Sequence, residues 1–475
     1  MQKEFRLNPP QEPRLDILIL AAGLGTRMKS RQAKVLHQLD GRPLIAHVCR
    51  AAQALTPRQI YVVVGHQQEK VEAAVLGELE QKQVTFVSQS QQLGTGDAVM
   101  SAREALRDAD STLLILSGDV PLIRTETLQL LLTRHHQAKN IATILSVRME
   151  TPTGYGRIVR GDDGRVLRIT EEKDATEDER QIREINSGIY CFETSKLFPA
   201  LARVLPVNQQ GEYYLTDVPE LLLKDGQPVD AYLHTNVREV AGINTRAELA
   251  EFENLQRRGT IRRLMIEGGV TFIDPSHAYV CGAAQIGRDS VIHPGVQIEG
   301  TTIIGENCEV RAGSRISNSK IGDNVVIKDH CVIIDSEVAS NCTVGPFAHL
   351  RMNSRLAEAS AVGNFVELKK SRLGRGSKSM HLTYLGDATI GDQTNIGAGT
   401  VTCNYDGKHK HETIIEDNVK IGSDTMLVAP VRVGSRSVTG AGSVVTRDVP
   451  PDSLVAGVPA VIKKNLAERK DENER

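Results

Sequence analysis

Three short segments in the first half of the chain combine glycine, charge and the end of an apolar run. Leu15–Leu20 runs into Ala21-Ala22-Gly23-Leu24-Gly25-Thr26-Arg27-Met28. Glycine there lets backbone N–H groups approach a phosphate, and Arg27 and Lys34 add positive charge beside the expected following helix. The segment is neither a Walker A loop nor a GxGxxG fingerprint, which counts against P-loop and dinucleotide chemistry. A tight turn with no ligand would need the same glycines. Gln89…Leu93-Gly94-Thr95-Gly96 is a second glycine-rich loop opening a helix, and the Gln89 amide could read a base edge. Ser117-Gly118-Asp119 ends the apolar run Leu113–Leu116. Ligands of open α/β sheets sit beyond the carboxyl ends of strands, so Asp119 could hold a divalent cation. It could equally cap a helix.

Those segments need a scaffold, and the first half supplies the pattern of one. Leu15–Leu20, Ile60–Val64, Val84–Val87, Leu113–Leu116 and Ile141–Val147 read as strands, with helix-length segments between them. Such a pattern predicts a mostly parallel α/β sheet covered on both faces. Arg165–Thr170, Ser187–Phe192 and Val237–Ile243 are more mixed and suggest an added substrate-binding portion. Residues 247–267 read as a linker helix between domain 1–246 and domain 268–460.

Beyond residue 280 the period becomes six. Ile286, Ile292, Ile298, Ile304, Val310 and Ile316 stand six apart, followed after one five-residue step by Ile321 and Ile327. The register returns at Val338, Val344 and Leu350, at Ile390 and Ile396, and from Ile415 to Val445. Hexads of this kind predict a parallel β-helix. Residues 281–460 make roughly ten coils, on the order of 48 Å of stack. Cys308, Cys331 and Cys342 fall in the small-residue slot, where a thiol packs as a small hydrophobe. Leu350–Ala361 and Cys403–Thr413 look like breaks in the repeat, the second an external loop carrying Lys410. His381 stands between two hexad blocks, where a lone histidine is ordinarily structural. Residues 461–475 read as a charged, disordered tail.

Composition removes several classes of function. Fifty-seven Lys plus Arg against 59 Asp plus Glu leave a net charge of −2, no footprint for gripping a nucleic acid. No apolar run near the start is long enough to span a bilayer. Residues 1–14 lack the order of a secretory leader. Seven scattered cysteines without a CxxC pair argue for reduced thiols and a cytoplasmic protein.

The segments LAAGLGTRM, AKVLH, QLGTGDA, SGDVPL, GYGRI, EEKDAT, EINSGIY and GINTR resemble the sugar-nucleotide pyrophosphorylases. Followed by the hexads and by GSKSMHLTYLGD, they resemble the bifunctional N-acetylglucosamine-1-phosphate uridyltransferase/glucosamine-1-phosphate acetyltransferases, from about residue 15 to 460. The resemblance implies acetylation of glucosamine-1-phosphate by acetyl-CoA, then Mg²⁺-dependent uridylyl transfer from UTP with release of pyrophosphate. It further implies a product that feeds peptidoglycan and lipopolysaccharide synthesis. Leu20, Ala21, Ala22, Gly23, Arg27 and Lys34 would contact nucleotide, with Gln89, Gly94, Thr95, Ser117 and Gly118. Gly156, Glu171 and Asn186 would hold the N-acetylglucosamine, and Asp119 with Asn244 would ligate Mg²⁺. His381 would be the general base of acetyl transfer. Arg351, Lys369, Tyr384 and Asn395 would bind the amino-sugar phosphate. Ala398, Asn404, Tyr405, Lys410, Ser423 and Ala441 would line the acetyl-CoA channel. The family's β-helix is left-handed and its members are homotrimers with acetyl-transfer sites between subunits, the Cys403–Thr413 loop reaching a neighbour. Two departures stand out: Leu24 replaces a common lysine, and AGVPA at 456–460 lacks an arginine that some relatives carry. The alternatives are a sugar nucleotidyltransferase whose coil only regulates or oligomerises it, and a scaffold with a decayed nucleotide domain.

Overall fold

The computed structural model describes residues 14–107 and 110–467. The segment expected to lack a leader and most of the charged tail lie outside the described residues. Two compact units divide the chain, Met1–Phe252 and Glu253–Arg475, and their boundary falls inside the helix Arg246–Ile266.

The first unit is built on one nine-stranded sheet. Its strands are β1 (Leu15–Leu20), β2 (Gln59–Val64), β3 (Val84–Ser88), β4 (Thr112–Ser117), β5 (Ala142–Arg148), β6 (Arg157–Arg160), β7 (Val166–Thr170), β8 (Glu184–Glu193) and β9 (Val229–His234). The order β9-β5-β8-β4-β1-β2-β3 is parallel except at β8, which runs antiparallel to β4 and β5. The apolar runs become central strands because both faces are covered; Ile17, Leu18, Ile19, Leu114 and Ile115 are fully buried. β6 and β7 form a hairpin attached to β8. The register of β8 on β5 shifts between Asn186 and Tyr190, and such a bulge re-aims the residues beside it.

One local expectation is corrected. No α-helix follows the first glycine-rich loop directly. Thr26–Met28 and Lys34–Leu36 are single 3₁₀ turns, and the first α-helix is Leu44–Gln53. The polar stretch between Lys29 and Gln32 has no apolar stripe to bury, so a full helix gains nothing there.

The second unit is a coil of three ladders, with 12, 10 and 9 strands, parallel except at the last strand of the first. Each aliphatic hexad position points inward and stacks on its counterpart one coil away, as Ile298 on Ile316 and Ile316 on Ile333. Full burial of each such side chain is worth about 1.5–3 kcal/mol. The small slot has its own task. Ser314 Oγ donates to the Lys328 carbonyl at 2.8 Å and Ser377 Oγ to the Gly391 carbonyl at 2.7 Å. Cys308 and Cys342 make the same link through sulfur, each at 3.1 Å. Burial pushes all three slot thiols above the ordinary cysteine value.

Two further expectations are corrected here. Leu350–Ala361 does not leave the repeat: Arg355–Leu356 pairs with Glu337–Val338, Ala361 pairs with Thr343, and Leu356 is buried. Residues 461–465 are not tail either, since Ala460–Asn465 pairs antiparallel with Ser453–Gly457 and closes the first ladder. The Cys403–Thr413 excursion does leave the coil, between strands Val401–Cys403 and Thr413–Ile415.

Candidate active sites

In the first unit the carboxyl ends of β1 and β4 bring the charged candidates together. Lys34 Nζ bonds the Asp119 carboxylate and also donates to Asn244 Oδ1 at 3.0 Å. Arg27 donates to the same Asn244 oxygen at 2.8 Å. One carboxylate oxygen and one amide oxygen therefore converge on a single place already favourable to positive charge. Among the described residues no cluster of three or more His, Cys, Asp or Glu is gathered to cage a metal. Two hard oxygen donors beside the cations of Arg27 and Lys34 instead fit a Mg²⁺ ion that would draw its other ligands from phosphate and water.

Around them the two glycine-rich loops are tied to the rest of the unit. Leu20 accepts a bond from the Gly118 N–H at 2.9 Å, and Gln92 Nε2 donates to the Ala22 carbonyl at 2.6 Å. Gly94 has φ +114°, and a Cβ there would stand 2.6 Å from the Tyr213 carbonyl, so only glycine fits. Thr95 Oγ1 accepts from the Leu215 N–H at 3.1 Å. The buried Gln89 donates through Nε2 to Asp97 at 2.7 Å, which leaves its amide oxygen as the acceptor turned elsewhere. Above, Gly156, Glu171 and Asn186 meet: a Cβ on Gly156 would lie 3.5 Å from Glu171 Oε2 and 3.6 Å from Asn186 Cβ. Burial raises the Glu171 carboxyl, although Thr216 donates to it at 3.1 Å.

In the second unit the second ladder carries a column of charge. Arg351 aligns with Lys369 and Lys369 with Gly386, while Glu367 aligns with Tyr384. Lys369 is 4% exposed and donates to Asp387 at 2.8 Å. Asn404 Nδ2 donates to the same carboxylate at 2.6 Å. Burial works to raise Asp387, yet these two partners hold it below the usual carboxylate range. The side chain of Lys410 returns from its loop to Lys369 of its own chain, whose ammonium lowers the Lys410 value. The loop is shaped by Asp406, which accepts from the His409 and Lys408 N–H groups and from His411.

His381 stands at the corner before that ladder. Its Nδ1 is 2.7 Å from Asn364 Oδ1, one coil below. Asn395 lies on the first ladder, in line with Lys378 and Lys420, so one chain does not bring it to Lys369. Ala398, Ser423 and Ala441 sit on successive turns of one corner; Asp424 N–H donates to Ala398 and Gly442 N–H to Ser423. Tyr405 is exposed in the loop. Spacing alone missed Asn364, Glu367 and Asp387, although each stands 16 to 18 residues from its partner. That interval is the coil itself and could have found them.

The model of the nucleotidyl transferase family matches residues 17–237. A GMPPB C-terminal domain model matches 280–373, and a model of six bacterial transferase hexapeptide repeats matches 412–447. The coil is thus the left-handed parallel β-helix of hexapeptide transferases. The bifunctional protein GlmU of Syntrophomonas wolfei is 49% identical over 93% of this chain and 97% of its own. That of Heliobacterium modesticaldum is 49% identical over 95% and 98%, and that of Geobacter sulfurreducens 46% over 96% and 99%. Identity at that level along nearly the whole of both chains, through the nucleotidyltransferase sheet and the hexapeptide coil alike, means that this chain belongs to the family of the bifunctional GlmU enzymes.

Proposed function

We propose that the chain makes UDP-N-acetylglucosamine in two steps, one on each unit. In the first, the amine of glucosamine-1-phosphate attacks the thioester carbon of acetyl-CoA and the coenzyme A thiolate leaves. His381 takes the proton that the amine must lose, its ring oriented through Nδ1 by Asn364. Arg351, Lys369, Tyr384 and Asn395 hold the sugar phosphate, and Ala398, Asn404, Tyr405, Lys410, Ser423 and Ala441 line the path of the coenzyme. In the second, a phosphate oxygen of N-acetylglucosamine-1-phosphate attacks the α-phosphorus of UTP and pyrophosphate leaves. Positioning and charge neutralisation drive such a transfer without a protein nucleophile. Leu20–Gly23, Arg27 and Lys34 hold the phosphates, and Gln89, Gly94 and Thr95 receive the uracil. Ser117 and Gly118 floor the site, while Gly156, Glu171 and Asn186 grip the acetylated sugar. Mg²⁺ held by Asp119 and Asn244 would neutralise charge on the phosphates.

The observation that carries this reading is the cation shared by two oxygens, Lys34 between Asp119 and Asn244, which supports a phosphate-and-metal site without a nucleophile. Measuring coenzyme A release and pyrophosphate release separately on the purified chain tests it. Both are expected; pyrophosphate without coenzyme A would leave a monofunctional nucleotidyltransferase with an oligomerising coil.

The working form is a cytoplasmic homotrimer whose acetyl-transfer sites combine His381 of one chain with the Lys369–Lys410 face of the next. His381→Ala and Lys410→Ala should each cripple acetyl transfer as pure proteins. Co-refolded in equal amounts they should regain activity at about a quarter of sites in a cyclic trimer. No regain in confirmed mixed trimers would place both residues in one chain's site.

A further inference from the structure

The helix Arg246–Ile266 starts immediately after the oxygen pair. Thr245 and Glu248 cap it reciprocally: the Glu248 N–H donates to Thr245 Oγ1 at 3.2 Å, and the Thr245 N–H to Glu248 Oε2 at 3.0 Å. A capping box needs no more than that. Here the same Glu248 oxygen also accepts from the Asn244 N–H, at 2.6 Å, so the carboxylate grips the backbone of the residue that faces Asp119.

The Asn244 side chain is fixed from its other end. Its Nδ2 donates to the Gly242 carbonyl at 3.2 Å, which turns Oδ1 toward Arg27 and Lys34. An asparagine can offer a cation either an oxygen or an amino group, and only the oxygen ligates. The turn is also locked to the opposite donor. The Ile243 N–H bonds the Asp119 carbonyl at 3.0 Å, and a Cβ on Gly242 would lie 3.3 Å from Asp119 Oδ2.

We propose that Glu248 is a positioning residue of the uridylyl-transfer site, holding the Asn244 backbone in the place from which its side-chain oxygen, turned inward by the Gly242 carbonyl, is aimed at the metal position, while adding its own charge to the field. The inference rests on the reading of Asp119 and Asn244 as metal ligands. Groups that orient a ligand commonly change metal affinity by about 10–100-fold when removed. Glutamine at 248 keeps the acceptor and loses the charge; alanine loses both.

Mn²⁺ alone, titrated into the full chain and followed by the electron paramagnetic resonance of the free ion, is the direct probe. E248A should weaken Mn²⁺ binding by about tenfold or more and E248Q by clearly less, with helix content by circular dichroism unchanged. N244A should weaken it at least as much as E248A. The double variant N244A/E248A should be no weaker than N244A, because the effect runs through Asn244. Should E248A fail to fold, the order wild type, E248Q, E248D decides, with E248D weaker than E248Q because its shorter chain cannot reach the Asn244 N–H. Wild-type Mn²⁺ affinity in E248A beside a weakened N244A would overturn the role of Glu248 and spare the ligands. Fully additive losses would overturn the route through Asn244. Unchanged binding in N244A would overturn the ligand reading itself.

Discussion

The two units gather cations in opposite ways. In the sheet, Arg27 reaches Asn244 across 217 positions and Lys34 reaches Asp119 across 85, because loops from separate strands meet at one edge. In the coil, Lys369 reaches Asp387 across 18 positions and Asn404 reaches it across 17, because each turn delivers its residue onto the same face. A sheet-edge site depends on where strands end, and tolerates changes of loop length elsewhere. A solenoid site depends on the repeat, since stability and placement pass from each coil to its neighbours.

That contrast can be broken by substitutions that touch one geometry only. The largest effect is expected from His381→Ala: acetyl transfer should fall by about 10²–10⁴-fold, the usual worth of a general base, with pyrophosphate release unchanged. Next, Ile333→Ala should open a hole in the fully buried column and cost about 2–5 kcal/mol. Thermal unfolding of the coil should shift down while uridylyl transfer at 25 °C persists; equal losses in both would contradict independent units. Gly94→Ala should cost about 1–3 kcal/mol of loop strain and appear as a raised KM for UTP, with acetyl transfer intact.

The smallest effect concerns Asp217, which lines a cleft of about 510 Å³ with Glu171, Asp174 and Tyr214. Burial, with Glu220 and Asp174 adding to it, pushes Asp217 up to about 6. The folded chain therefore keeps a proton that the unfolded chain releases near pH 4. Stability from this group falls as pH rises from about 4 to about 6 and is flat above. Asp217→Asn should stabilise the first unit by on the order of 1 kcal/mol at pH 7.5, after solvent screening, and by nothing at pH 4. Equal melting shifts at both pH values would remove the raised carboxyl from the account.

The same contrast explains what could be read from residues alone. The hexads announced the coil because one inward position in six repeats without long-range information, as Ile298, Ile316 and Ile333 show. Leu356 escaped because Arg355, Ala357 and Glu358 occupy outward positions, and a polar exterior around one buried residue imitates a loop. Ala460–Asn465 escaped for a similar reason: Lys463 and Lys464 look like tail, but backbone pairing with Ser453–Gly457 needs no apolar side chain. In the sheet, Asp119 was legible because it ends an apolar run. Asn244 was legible only by resemblance, since nothing local links it to a residue 125 positions earlier. Its hold on Glu248 became visible only in the fold.

The central claim is that two chemistries run on two geometries in one chain. Pyrophosphate release and coenzyme A release, measured in parallel on full-length wild type, Asp119→Asn and His381→Ala, test it most directly. The account predicts a crossed pattern: Asp119→Asn loses pyrophosphate release, most steeply at limiting Mg²⁺, and keeps coenzyme A release, while His381→Ala does the reverse. A variant that lowers both activities in parallel, with its fold intact, would contradict it.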